Sequence, residues 1–126
     1  MPEVTIQTAT YRPGGVDILL AGMRDQTFKD FELVIVDHRY ERRHARVMAL
    51  VRQYGLEGKV IHVPEHRRDG MWAVTSSAFN TGFALARGRV IIMLVDWTYC
   101  PPGWIEAHLK HHDDSGPKYI LGPYYY

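Results

Sequence analysis

A chain of 126 residues carrying 15 basic and 14 acidic side chains, with 46% hydrophobic residues, is sized for one domain and one core. A formal charge of +1 calls for neither nucleic acid nor an anionic membrane as partner. The lone Cys100 excludes an intrachain disulfide framework and leans towards a reducing compartment. The N-terminus lacks the basic-then-apolar pattern of a signal peptide, and the longest strongly apolar run, Val90 to Val95, is far short of a bilayer span. A cytoplasmic setting is expected, with peripheral attachment to a membrane left open.

In chain order, residues 3–9 read as a first strand, and Arg12-Pro13-Gly14-Gly15 as a turn. Val16, Leu19, Leu20 and Met23 then recur at helical spacing. Residues 31–36 form a second strand whose Leu-Val-Ile-Val centre lacks alternation, as expected of a strand covered on both faces. A helix over about 41–54 follows, its apolar side drawn from Ala45, Val47, Met48, Leu50 and Val51, and Gly55 stops it. Residues 59–63 make a short third strand ended by Pro64. A helix over about 72–86 presents Ala78, Phe79, Phe83 and Ala86, with Gly88 near its C-cap. The apolar run 90–95 is the strongest strand. A helix over about 103–112 and a short strand at 119–121 complete the pattern. Alternating strands and helices predict an α/β fold, doubly wound, with a mostly parallel sheet between helical layers.

Polar residues stand where the strands end: Thr10 and Tyr11, then Asp37, then Asp96. In a parallel α/β sheet the crevice beyond the carboxyl ends of the strands is where ligands bind. These four residues are therefore the candidate contacts of a nucleotide or nucleotide-sugar site.

Four blocks in order resemble family 2 glycosyltransferases, which have the Rossmann-like GT-A fold. They are Thr8-Ala9-Thr10-Tyr11-Arg12, Gln26-Thr27-Phe28 through Val36-Asp37-His38, Ala78-Phe79-Asn80-Thr81-Gly82 through Gly88, and Val95-Asp96-Trp97 through Pro101-Pro102-Gly103-Trp104-Ile105-Glu106. The resemblance covers nearly the whole chain. It implies that Thr10 and Tyr11 line a base and ribose pocket and that Asp37 accepts hydrogen bonds there, a task suited to an ionised, acceptor-only carboxylate. The residues themselves equally allow Asp37 to be a strand-end or helix-capping carboxylate.

The same resemblance makes Asp96 a ligand of a divalent metal, Mn²⁺ or Mg²⁺, bridging the diphosphate of a nucleotide-diphosphate sugar, with a UDP-sugar favoured. Aligned on Pro101-Pro102 and Trp104, the family's two motif carboxylates fall on Val95 and Trp97, leaving Asp96 alone. His38 replaces the second acid of the family's Val-Asp-Asp, and Phe79 replaces the Arg expected before Asn80. His38 and Arg39 could offer positive charge near a diphosphate, as could Arg67 and Arg68, because guanidinium matches phosphate geometry; a solvated, polar loop face is the other reading of all four. No residue in the four blocks matches a catalytic base.

Other constellations point elsewhere. His108, His111 and His112 lack the spacing of a zinc hydrolase and read as a polar helix end. The basic stretch Glu41 to Arg46 reads as a solvated face. Neither a dinucleotide fingerprint nor a P-loop is present.

The expectation is a single, small or truncated GT-A domain over 1–126. It would hold a nucleotide sugar, move the sugar to a hydroxyl of a glycan, lipid or protein, and lack the acceptor-binding C-terminal part. The alternatives are a non-catalytic binding or assembly module, or a donor-binding subunit completed by an oligomer or partner chain through the aromatic C-terminus Tyr124-Tyr125-Tyr126.

Overall fold

A computed structural model describes residues 1–67, 70, 75–112 and 116. Its elements are β1 (Val4–Thr10), α1 (Val16–Arg24), β2 (Phe31–Asp37), α2 (Tyr40–Gln53), β3 (Val60–Val63), α3 (Thr75–Leu85), β4 (Val90–Val95) and α4 (Trp104–Leu109). The four strands form one sheet in the order β3-β2-β1-β4, with every pairing parallel. This is the α/β architecture the alternation implies. The proposed strand at 119–121 and the terminal tyrosines lie outside the described residues, as does the start of the helix expected from 72.

Register puts the apolar side chains of odd and even positions on opposite faces. On one face Val4, Ile6, Leu33, Ile35, Val90, Ile92 and Leu94 meet Val16, Leu19, Leu20 and Met23 of α1, Val47 and Val51 of α2, and Ile105 of α4. Full burial of such a side chain contributes about 1.5–3 kcal/mol, so this cluster is the main core. On the other face Val34 and Val36 pack against Ala78 of α3. β2 is buried throughout, as its unalternating centre predicts. β4 is not: Ile91, Met93 and Val95 on the α3 face are 39%, 48% and 42% exposed. Phe83 of α3 is exposed too, contrary to its expected place in the apolar patch. Gly82 takes that inward position, where an added Cβ would fall 1.9 Å from Oε1 of the buried Gln7.

Two polar clamps fix the frame. Gln26 places its amide nitrogen 3.0, 3.0 and 2.8 Å from the carbonyls of Gly22, Cys100 and Pro101, and its Oε1 accepts from the Ile105 N–H at 3.1 Å. The Gln26-Thr27-Phe28 phrase thus ties the end of α1 to the loop after β4. At the amino end of the sheet, Glu32 accepts from Thr5 Oγ1 at 2.7 Å and from the backbone N–H and guanidinium of Arg87. Burial alone would raise the Glu32 pKa; these donors outweigh it and hold the carboxyl below its ordinary value.

The helix expected over 103–112 is helical only to Leu109, after which His111 and His112 close on carbonyls three residues back.

Candidate functional site

The chain runs from β1 to β2 to β3 in one direction and then returns to place β4 on the other side of β1. The carboxyl ends of β1 and β4 therefore flank a topological switch point, where open α/β sheets bind ligands. Thr10, Asp37 and Asp96 meet there. Thr10 pairs with Asp37 in the β1–β2 register, and its hydroxyl donates to Asp96 Oδ2 at 3.1 Å.

Asp37 sits beneath this end of the sheet. Its side chain is fully buried. Oδ1 accepts from the Arg39 N–H at 2.7 Å in an Asx-type turn, and Oδ2 accepts from Arg43 Nε at 2.8 Å and His62 Nε2 at 3.0 Å. His62 Nδ1 in turn lies 3.0 Å from His44 Nδ1, with the two rings stacked. Desolvation would raise the Asp37 pKa; the bonds from His62, Arg43 and the Arg39 N–H outweigh it, so the carboxyl titrates below its ordinary value. Arg43 carries the network onward, donating to the Arg12 carbonyl at 2.8 Å and to Thr10 Oγ1 at 3.2 Å. Arg39 Nε holds the Tyr11 carbonyl at 2.7 Å. The expected ligand-binding carboxylate is thus the hub that fixes the loop after β1.

Asp96 is placed differently. It accepts from Thr10 and from two nitrogens of the Arg12 guanidinium, Nη2 and Nε, the latter at 3.4 Å. The Arg12 guanidinium lies 4.4 Å from the centre of the Trp97 ring, within cation–π range. Trp97 has a left-handed backbone, φ 65°, and its Nε1 donates to the Gly14 carbonyl at 2.9 Å. Beneath that ring Gly15, at φ 81°, has no room for a side chain: a Cβ would come within 1.7 Å of Trp97 Cδ1. The loop after β1 and the loop after β4 are therefore clasped, with Arg12 between them.

Above the clasp opens a hollow of about 1080 Å³, lined among the described residues by Thr10, Tyr11, Arg12, His38, Glu65, Arg67 and Asp96 together with Ala9, Ala78, Phe79 and Val95. Polar groups converge on partly apolar walls, the usual make-up of a small-molecule site. Tyr11 is 62% exposed and meets His38 edge-on, ring centres 6.1 Å apart. A second hollow of about 550 Å³ adjoins it, walled by Tyr11, Asp37, Arg39 and Glu65 among others.

Of the sequence-derived contacts, Thr10, Tyr11, Arg67 and Asp96 converge on the larger hollow. Asp37 lines only the smaller one, with its acceptors turned to the protein, and Arg68 lies outside the described residues. Glu65 was not foreseen. Its side chain is almost buried, with Oε1 3.8 Å from His38 Nδ1 and 3.6 Å from Arg67 Nη1. The signal that finds Asp37 and Asp96, an acid just past a strand, applies to it once Pro64 is discounted. Cys100 is buried, and desolvation pushes its thiol up to about 12, so it is no nucleophile.

Among the described residues, the donors gathered at Asp96 do not make up a divalent-cation site. Asp96 is bonded to a guanidinium and a hydroxyl, and no cluster of three or more His, Cys, Asp or Glu side chains suited to a metal occurs among the described residues. Hard cations need several oxygen ligands, and a neighbouring guanidinium competes for the one carboxylate.

A parallel sheet in this order, with a ligand hollow at the carboxyl ends of β1 and β4, defines a small GT-A, Rossmann-like fold. The family model described as Glycosyl transferase family 2 matches residues 12–126, and the chain belongs to that family. Among solved structures it is similar to TarS from S. aureus, with a TM-score of 0.60, 18% identity and 85% of this chain covered. The match spans 19% of the TarS chain, so the likeness is one of fold to about a fifth of that protein. No curated protein sequence matches. Among the described residues, no helix is long and apolar enough to cross a membrane.

Proposed function

We propose that this chain is the donor-binding part of a glycosyltransferase, holding a nucleotide-diphosphate sugar in the larger hollow for transfer to a hydroxyl acceptor. The observation that carries the reading is the hollow itself. It lies at the switch point of a family 2 glycosyltransferase domain and is walled by an exposed aromatic, two guanidiniums and a strand-end carboxylate. Tyr11 and His38 offer a stacking face and a ring nitrogen for a base and ribose. Arg12 and Arg67 suit the diphosphate, because a planar fork of N–H donors matches its oxygens.

In the transfer, the bond from the anomeric carbon to the diphosphate oxygen breaks and the acceptor oxygen bonds to that carbon. The hydroxyl proton goes to a base, and the nucleoside diphosphate leaves with added negative charge. Fixed positive charge near that oxygen lowers the barrier.

Calorimetric titration of the full chain with UDP, GDP, ADP and dTDP tests the reading. One-site binding of at least one of them is expected. Absence of binding to all four would favour the alternative, a non-catalytic assembly module. A Tyr11→Ala variant is expected to weaken binding by about 1–3 kcal/mol if the ring stacks on the base. Production of free nucleoside diphosphate from a nucleotide sugar then separates turnover from donor binding alone.

A further inference from the structure

We infer that the diphosphate subsite of this chain is built on a guanidinium instead of a divalent cation: Arg12, seated on Trp97 and oriented by Asp96, supplies the fixed positive charge. The inference rests on the donor-binding reading and names how that site recognises phosphate.

Three observations carry it. First, the two positions that resemblance assigns to metal-binding carboxylates hold Val95 and Trp97. Neither can ligate a hard cation. Second, Trp97 is a built seat. Its left-handed backbone is unusual for a bulky residue and is retained only where the surroundings enforce it. Here its Nε1–H is anchored on the Gly14 carbonyl, its ring fills the space over Gly15, and its face carries the Arg12 guanidinium. Third, Asp96 and Arg12 both line the hollow, and the Arg12 side chain is 45% exposed against 11% for Asp96. The cation is thus the more accessible member of the pair.

Electrostatics makes the arrangement coherent. A bare carboxylate at this place would repel a diphosphate, and a family member offsets that with a metal ion. A guanidinium has several donors in a rigid plane, so one edge can bond a carboxylate while another faces phosphate oxygens. Stacking on indole fixes the plane of a side chain that lines the hollow and is close to half exposed. Asp96, bonded to two guanidinium nitrogens, sets the angle of that plane, and Thr10, itself anchored by Arg43, sets Asp96. Asp96 acts here through Arg12 as a positioning residue.

The test titrates the full chain with whichever of UDP, GDP, ADP and dTDP binds, once in EDTA and once in excess Mn²⁺. Dissociation constants within about twofold of each other are expected, since a guanidinium keeps its charge without metal. Arg12→Gln should weaken binding about tenfold or more in both buffers, and Arg12→Lys should recover only part of it, because a point charge does not replace the fork. Asp96→Asn should leave binding metal-independent and weaken it less than Arg12→Gln does, because an amide oxygen still accepts from the guanidinium but holds its plane less firmly than a carboxylate. Wild-type binding that appears only with Mn²⁺, or is abolished by Asp96→Asn in a variant whose circular dichroism and melting match the parent, overturns the inference while leaving the donor-binding reading intact. Absence of binding by the wild type to all four nucleotides in both buffers overturns both.

Discussion

Asp37 and Asp96 stand on either side of Thr10, each an acid at the carboxyl end of a parallel strand, yet the fold surrounds them very differently. Asp37 is fully buried and accepts from Arg43, His62 and the Arg39 N–H. Asp96 reaches the wall of the hollow and is bonded to a half-exposed guanidinium and a hydroxyl. What separates them is the chain each faces. β2 lies inside the sheet, and donors close on Asp37 from β3 (His62), from α2 (Arg43) and from the turn at Arg39. Among the described residues β4 is the edge strand at the switch point, and Asp96 just beyond it lines the hollow. A carboxylate past a strand is closed in where donors reach it from neighbouring elements, as at Asp37, and lines the hollow where they do not, as at Asp96.

The sharpest way to break this comparison is Asp37→Ala. Removing one partner of a buried ion pair leaves Arg43 and His62 unmatched, and a loss of about 3–5 kcal/mol is expected in urea unfolding. With total stability of only about 5–15 kcal/mol for a typical domain, the variant is expected to be close to unfolded at 37 °C.

Acid provides a gentler version of the same experiment. The folded-state pKa of Asp37 lies below its ordinary 3.8, so its contribution to stability is full above that value. It is lost as the pH falls through the lowered pKa. Glu32, lowered from 4.5, acts in the same direction at the amino end of the sheet. Stability followed by denaturation midpoint should drop steeply below about pH 4 in the wild type and less steeply in Asp37→Asn.

Gly15→Ala comes next. Its Cβ would overlap the Trp97 ring and its φ is left-handed, so a loss of about 1–3 kcal/mol is expected from overpacking. Because the ring must move, Arg12 loses its seat. The variant should therefore weaken nucleotide binding while leaving the slope of the acid transition unchanged.

The elements were legible because their signals are local. Unbroken apolar runs placed β2 and β4, and helical spacing placed α1 and α2 to within a few residues. Strand-end position alone singled out Thr10 and Asp96, which line the larger hollow, and the four blocks carried the family. The same signal did not reveal the buried network around Asp37. Strand-end position says nothing of His62, 25 residues on, or of the turn that brings Arg43 back. Arg12 read as part of a turn and Trp97 as a departure from a motif, because their pairing joins residues 84 and more apart. Nor does the apolar run of β4 reveal that one of its faces stays exposed. Periodicity reports the strand's own character, and not which neighbours cover it.

The smallest effect is the most telling. Asp96→Asn removes a charge from a pair whose guanidinium is 45% exposed, and such pairs contribute little to folding. A change below about 1 kcal/mol in unfolding free energy is expected, set against the several lost at Asp37. An Asn amide can still accept from Thr10, so the clasp between the two loops keeps its hydrogen bond through the Thr10 hydroxyl. A loss in Asp96→Asn as large as that in Asp37→Asn, measured in the same urea series, would show that both acids hold the fold together. The contrast between a buried hub at Asp37 and an accessible pair at Asp96 would then fail.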